Sequence, residues 1–223
     1  MIRSIRVVQR AAFGALAVGI IAAAAPAAIP SALAAQQAAA VKPGDDWLKG
    51  LTASHKQFFD APQPAGGVPL VHIMNYYDTY NKAYDVKDAD IDAVLTFYGL
   101  TTFYGLNDAM WDKYKLGEFL ETDVPGKPGA RATANPWRAA PVILGMNLPQ
   151  ASIEGLQKRG TTFILCNNAL TIFAGMVAQK RGLDPAAVYA DMNRNILPGV
   201  HLVPGMVVAI EQAHRAGLSY QRQ

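Results

Sequence analysis

Apolar residues occur along the chain in short runs that alternate with segments of helical spacing. Continuous apolar stretches bounded by glycine, proline or asparagine are typical of strands that are buried on both faces. Four such runs predict strands, and a shorter fifth run predicts an edge strand. The predicted strands cover residues 68–74, 91–98, 161–166, 200–203 and, at the edge, 218–221.

Between these runs, apolar residues recur every three or four positions, which predicts helices. In the segment 102–114, for example, Phe103, Leu106 and Met110 fall on one helical face. The other predicted helices cover residues 76–84, 152–159, 169–180, 185–195 and 207–215. Strands that alternate with helices in this way predict an α/β fold with a mainly parallel sheet of about five strands and helices on both faces.

The segment 117–150 breaks this alternation. It contains five prolines and four glycines, and it is too long for an ordinary connection between two elements. Loops of this length are usually functional, so one interpretation is a lid or a partner-binding loop. The other is a passive excursion that covers one edge of the sheet, and the sequence leaves both open.

The N-terminal segment has the order of a secretory signal peptide. Arg3, Arg6 and Arg10 precede an apolar, alanine-rich run over residues 11–29, and residues 30–34 follow with small residues at the A-x-A positions 32 and 34. We therefore predict a signal peptide over residues 1–34, cleaved near Ala34, and a periplasmic or secreted protein. An uncleaved membrane anchor is the alternative. Residues 35–50 are interpreted as a flexible tether and residues 51–223 as one domain.

The formal charge of +3 and the isoelectric point of 8.9 could suggest a nucleic-acid-binding protein. However, three of the basic residues lie in the predicted leader. The remaining 189 residues carry 17 basic and 17 acidic side chains, so we expect no nucleic-acid partner. After cleavage we also expect no stable membrane span, because no later segment is apolar enough.

Cys166 is the chemically distinctive residue, because it is the only cysteine and it ends a predicted strand just before a predicted helix. A sulfur atom there points toward unpaired N–H groups of the helix, which favour a thiolate. The alternative is a small buried apolar residue. Ligands of parallel sheets bind beyond the carboxyl ends of the strands. The other residues expected to line a binding site at those ends are Asn75, Tyr76, Gly99, Asn167, Asn168, Pro204 and Gly205.

Other common site patterns are missing from the sequence. No histidine pair has metal-ligand spacing, and neither glycine-rich phosphate-binding pattern nor G-x-S-x-G occurs, so we predict no metal and no cofactor. A cysteine–histidine hydrolase would need His72 or His201 close to Cys166. Aromatic residues are dense over residues 76–111, which predicts core packing or, alternatively, a tyrosine-lined cleft or an oligomer surface.

Two C-terminal stretches carry a resemblance to a known family. These are TTFILCNNALTIFAG at 161–175 and ILPGVHLVPGMVVAIEQAHRAGLSY at 196–220, and weaker likeness extends over residues 55–62 and 132–137. The chain resembles the DsrE/DsrF-like family of sulfur-relay proteins. This resemblance implies a three-layer Rossmann-like domain that assembles as trimers or hexamers. It also implies that Cys166 matches the cysteine that receives persulfide sulfur in active members, although the leader and the 117–150 segment depart from the compact members.

The resulting hypothesis is an exported DsrE-like protein that binds or relays sulfane sulfur as a persulfide on Cys166. Its partners would be a small sulfur species or a protein that donates or accepts sulfur, and it would form a homo-oligomer. The alternative is a non-catalytic oligomeric binding module of the same fold, in which the cysteine is structural.

Overall fold

A computed structural model describes residues 46–223, and its centre is a five-stranded parallel sheet. The strands of the described residues are β1 (His55–Asp60), β2 (Ile91–Phe97), β3 (Asp123–Val124), β4 (Lys127–Arg131), β5 (Val142–Ile143), β6 (Met146–Asn147), β7 (Thr162–Cys166), β8 (Val200–Val203) and β9 (Ser219–Arg222). The sheet has the order β8-β7-β2-β1-β9, and every neighbouring pair is parallel. The predicted fold class, an α/β domain with a mainly parallel sheet, is therefore confirmed.

Helices cover both faces of this sheet. They are α1 (Asp46–Lys49), α2 (Val68–Tyr84), α3 (Asp108–Lys113), α4 (Leu116–Phe119), α5 (Ile153–Lys158), α6 (Asn167–Arg181), α7 (Pro185–Arg194) and α8 (Met206–Arg215). Helices α2, α6 and α7 contribute to a large apolar cluster on one face, while α1 and α8 pack into a smaller cluster on the other. The result is a three-layer, Rossmann-like arrangement.

The alternation of side chains along β1 shows how the sheet separates these two clusters. Phe59 belongs to the large cluster and Phe58 to the small one, because successive residues of a strand point to opposite faces. Cys166 lies in the small cluster, on the α8 side. Side chains on the α2 side are thus separated from the cysteine by the sheet itself.

The predicted strand over residues 68–74 is wrong, because this run forms the first part of helix α2. Its buried residues Leu70, Ile73 and Tyr77 recur at helical spacing, and Pro69 occupies the first turn, where its missing N–H costs nothing. The first strand of the sheet is instead β1. It was missed because its first half, His55 to Gln57, consists of three consecutive polar residues that are only half-buried.

The 117–150 segment folds into two small hairpins, β3–β4 and β5–β6, that are fixed to the domain. Trp137 and Ile143 are buried in the large cluster. The Asn135 side chain donates hydrogen bonds to the carbonyl groups of Tyr104 and Leu106 at 2.7 and 2.9 Å. These contacts give the segment several buried attachment points to the residues that follow β2.

The predicted signal peptide and its cleavage site lie outside the described residues, as do residues 35–45 of the predicted tether. The last part of that tether includes α1, whose Trp47 is buried in the small cluster. Among residues 46–223, none of the helices has the length and apolar character needed to cross a membrane.

Candidate functional site

The sulfur of Cys166 lies where the first turns of two helices meet. Cys166 ends β7 and is the N-cap residue of α6, and its Sγ accepts a hydrogen bond from the Ala169 N–H at 3.4 Å. The Met206 N–H, at the start of α8, points at the same sulfur atom at 3.3 Å. Only 5% of the residue is exposed. Two backbone N–H groups that are 37 positions apart in the sequence therefore converge on one buried atom.

The register of the sheet explains this convergence. Cys166 pairs with Val203 of the neighbouring strand β8, so β7 and β8 end at the same level. Each strand is followed directly or within two residues by a helix, and the first N–H groups of a helix have no partner within it. Cys166 satisfies one such donor from each helix and is placed at the positive end of both helix dipoles.

Three of the residues predicted to line a binding site, Asn168, Pro204 and Gly205, lie together beside this sulfur. The Asn168 N–H donates to the Pro204 carbonyl group at 3.3 Å. A Cβ atom at position 205 would lie 3.3 Å from the side-chain nitrogen of Asn168, which is closer than most Cβ contacts. Gly205 therefore lets the starts of α6 and α8 approach each other, and Asn168 and Pro204 are exposed next to the thiol.

Asn167, also predicted to line the binding site, forms a contact within the domain. It is buried, and its Oδ1 accepts a hydrogen bond of 2.6 Å from the hydroxyl group of Tyr189 on α7. Burial also raises the pKa of Tyr189, so that this hydroxyl remains a donor. The Asn167 side chain therefore joins α6 to α7.

Asn75 and Tyr76 do not lie at a strand end, because the strand predicted to precede them is part of α2. Both residues line an open groove of about 660 Å³ beside β9, together with Tyr80 and Tyr84. Tyr76 packs edge-to-face on Phe59 at 5.6 Å, on the α2 side of the sheet, whereas Cys166 lies on the α8 side. These two residues therefore belong to a tyrosine-lined groove and not to the surroundings of the sulfur.

Gly99 does follow the carboxyl end of β2, as predicted, but its contacts are with the loop after β1. It has a φ of 59°, and a Cβ there would lie 2.9 Å from the Pro62 carbonyl oxygen. Glycine is required because it alone combines this conformation with this close approach. Gly99 thus holds the loops after β1 and β2 together.

Neither candidate histidine is placed to assist the cysteine. His72 lies on α2, where its ring is hydrogen-bonded to the Gln223 side chain, on the far side of the sheet. His201 pairs with Ile164 within the sheet and lines a surface groove with Gly160 and Thr161, at the amino end of β7. The structure thus gives no support to a cysteine–histidine pair.

A buried carboxylate that sequence reasoning missed lies at the carboxyl end of β1. Asp60 is 1% exposed, and its Oδ2 accepts a hydrogen bond of 2.5 Å from the hydroxyl group of Tyr220 on β9. Its Oδ1 lies 3.4 Å from the Thr96 hydroxyl group. The sequence signal for Asp60 was weak, because this aspartate is not part of a recognisable motif and the strand that it ends was not predicted. Had β1 been predicted, Asp60 would have been placed at the carboxyl end of a strand, where ligands of parallel sheets bind.

The Asp60 carboxylate affects the pKa of two tyrosines. Burial, followed by the hydrogen bond to Asp60, raises the pKa of Tyr98 above its usual value. The same two causes raise the pKa of Tyr220. Both hydroxyl groups thus stay protonated as donors to Asp60. Phe97 of β2 and Leu165 of β7 are the last paired residues of these two strands, and Tyr98 and Cys166 come directly after them. Both residues pack in the small cluster.

The described residues thus define a three-layer α/β domain with a buried cysteine at the carboxyl edge of a parallel sheet. No known family model and no curated protein matches the chain. Among solved structures, the chain is similar to a protein of unknown function, MTH1491, from Methanobacterium thermoautotrophicum. The match has 15% identity and a TM-score of 0.32, and covers 74% of this chain and 95% of that one. Similarity at this level assigns no function.

Proposed function

We propose that the protein binds or relays sulfane sulfur, held as a persulfide on Cys166. The observation that carries this proposal is the convergence of the Ala169 and Met206 N–H groups on Sγ. Hydrogen bonds from backbone N–H groups at helix N-termini stabilise negative charge, which the attacking thiolate and a bound persulfide both carry. The resemblance of residues 161–175 and 196–220 to the DsrE/DsrF-like family supports the same chemistry.

The proposed transfer needs no external oxidant. The Cys166 thiolate attacks the outer sulfur of thiosulfate, the S–S bond of thiosulfate breaks, and sulfite leaves with the bonding electron pair. The product is Cys166–S–S⁻ and SO₃²⁻, which carry the same total charge as the reactants. With a persulfidated protein as donor, a thiolate of that protein is the leaving group instead.

Mass spectrometry of the intact protein tests this proposal directly. After incubation with thiosulfate or polysulfide and removal of excess reagent, we expect a gain of about 32 Da, the mass of one sulfur atom. This gain should be reversed by a thiol reductant. Cys166→Ser is the control, because serine retains an acceptor for the helix N–H groups. Uptake of sulfur by Cys166→Ser, or no uptake by the natural protein from either donor, would refute the proposal.

A second candidate function is a non-catalytic oligomeric binding module with a structural cysteine. It is favoured by the burial of Cys166 and by the groove that Tyr76, Tyr80 and Tyr84 line. Thiol labelling of the folded protein distinguishes the two. Labelling that precedes unfolding supports the persulfide carrier, and labelling that occurs only at the rate of global unfolding supports the binding module.

Export and assembly complete the proposal. The order of basic, apolar and small residues before Ala34 supports cleavage by a signal peptidase and a periplasmic or secreted location. The N-terminal sequence of the protein recovered from the periplasm tests this cleavage. The resemblance supports a trimer or hexamer, which the molar mass from sedimentation equilibrium tests. A monomer at high protein concentration would contradict that part of the proposal.

A further inference from the structure

The 117–150 segment builds a cavity of about 390 Å³ that the sulfur site does not use. Three parts of the segment line it, residues 120–123 with Pro125, residues 136–137 and residues 142–143. The rest of the wall comes from Pro64 and Gly66 in the loop after β1 and from Tyr104 after β2. The cavity therefore lies near the carboxyl ends of β1 and β2, where parallel sheets bind their ligands, and its volume suits a small molecule.

The walls of this cavity are largely apolar. Tyr104 and Trp137 are 2% and 3% exposed, and their ring centroids lie 4.4 Å apart. Pro125 and Pro136 extend the same wall, and Ile143 closes one side. A wall made of aromatic rings and prolines loses little conformational entropy when a ligand binds.

The charges that line the cavity are negative. Glu121 and Asp123 are the acidic residues of the lining, which includes no lysine or arginine within the described residues. Asp123 is already neutralised, because its two oxygens accept hydrogen bonds of 2.8 Å from Arg131 and from the Gly129 N–H. The Glu121 carboxylate forms no hydrogen bond or ion pair with any residue in 46–223. Glu121 is exposed, and Arg131 donates a hydrogen bond of 2.9 Å to its backbone carbonyl group and not to its carboxylate. The cavity therefore has one solvent-exposed carboxylate without an ion pair among its lining residues.

The nearby N-terminus of α2 does not make the cavity a better site for an anion than for a cation. The N–H groups of Gly67 and Val68 donate to the carbonyl groups of Pro64 and Ala65, and Pro69 has no N–H to offer. In addition, the Ile143 side chain covers Gly67 so closely that a Cβ there would lie 2.9 Å from it. The first helix donors are thus used or covered, and an anion would find few partners.

From this arrangement we propose that the cavity binds a small organic ammonium ion, with Glu121 as its counter-ion. A calcium or magnesium ion would require six or more oxygen ligands, and a single free carboxylate among aromatic and proline side chains does not supply them. The described residues also hold no group of three or more histidine, cysteine, aspartate or glutamate side chains that could bind a metal ion. An alkylammonium group instead combines one positive charge with apolar substituents, which suit a carboxylate and aromatic rings. Because Trp137 and Tyr104 lie in the large cluster, across the sheet from Cys166, the inference is independent of the proposed sulfur chemistry.

NMR titration of the full chain tests the inference with choline as the probe and 3,3-dimethylbutan-1-ol as its neutral analogue of nearly the same shape. Trp47, Trp111 and Trp137 give separate indole N–H signals, and Trp137→Phe assigns the one of interest. We expect choline to shift the Trp137 signal saturably and the neutral analogue to bind at least about tenfold more weakly. Glu121→Gln should weaken choline binding by about tenfold, because it removes the charge and keeps the shape.

Glu118→Gln is the matched control, since Glu118 lies three residues earlier, is paired with Arg181 and does not line the cavity. This variant should bind choline like the natural protein. The inference is overturned if choline gives no saturable shift up to about 50 mM, well above the millimolar range of weak sites. It is equally overturned if the neutral analogue binds as well as choline, or if Glu121→Gln binds choline unchanged.

Discussion

The attachment of the 117–150 segment can be tested at Gly117, which lies in the short helix α4. Helix propensity alone predicts that Gly117→Ala would stabilise the protein by about 1 kcal/mol. The structure predicts the opposite. A Cβ at this position would lie 2.2 Å from the Ala132 carbonyl oxygen and 2.7 Å from the Ala132 nitrogen, whereas real Cβ atoms almost never approach another atom within 3.0 Å.

The size of the effect follows from the atoms involved. Both close atoms belong to the backbone, so no side chain can rotate away, and the two segments must separate by about 1 Å. Such a shift strains the hydrogen bond of 2.9 Å from the Ala132 N–H to the Thr122 carbonyl group. Overpacking typically costs about 1–3 kcal/mol, and a clash with two backbone atoms belongs at the upper end of that range. After subtraction of the propensity gain, we expect a net destabilisation of about 2 kcal/mol, or about 4–8 °C in the midpoint of thermal unfolding.

Urea unfolding followed by circular dichroism measures this difference, and hydrogen exchange shows whether the amides of residues 117–132 lose protection first. Glu118→Ala is the control, because it changes the next residue of the same helix at an exposed side chain. Its effect should stay within about 0.5 kcal/mol. If Gly117→Ala proved as stable as the natural protein or more so, the close contact between residues 117 and 132 would be disproved.

Three further substitutions probe the rest of the domain. Cys166→Ala should be about 1 kcal/mol less stable than Cys166→Ser in urea unfolding, because only serine keeps an N-cap acceptor for α6. The hydrogen bond from Arg159 holds the pKa of Asp88 below its usual value, so this carboxylate stabilises the fold above about pH 4 and the benefit is lost as the pH falls through the lower folded pKa. Arg159→Met should therefore lower stability at pH 7 and flatten its acid dependence below about pH 4; an unchanged slope would contradict this. Asp60→Asn should let Tyr220 ionise at lower pH in an absorbance titration at alkaline pH, since it removes the negative charge that helps to raise the pKa of this tyrosine.

The sequence predicted the α/β class because strands β2, β7 and β8 are apolar runs with clear ends. The α2 segment misled the same reasoning, since an apolar run of seven residues fits a buried strand and a buried helix equally well. What distinguishes them is the continuation of helical spacing from Leu70 through Ile73 to Tyr77. For β1 the error went the other way. Its polar first half hid the pattern of a buried strand, although β1 pairs with a neighbour on both sides within the sheet.

The candidate site was predictable only as far as it depends on position along the chain. Cys166, Asn168, Pro204 and Gly205 follow from the ends of two neighbouring strands, and the structure brings them together. The second N–H group on the sulfur comes from Met206, 40 residues away, and depends on the level at which β8 ends. Such contacts across strands depend on the register between β7 and β8, which joins residues far apart in the sequence.

The two hydrogen bonds to Cys166 Sγ give the protein a built-in spectroscopic reporter. The chemical shift and exchange rate of the Ala169 and Met206 amide protons depend on the charge, size and position of the sulfur atom they face. Oxidation, alkylation or loading of the sulfur would alter both resonances together, although the two residues belong to different helices. The state of the cysteine can therefore be followed in intact protein, without chemical labelling and without knowledge of the donor.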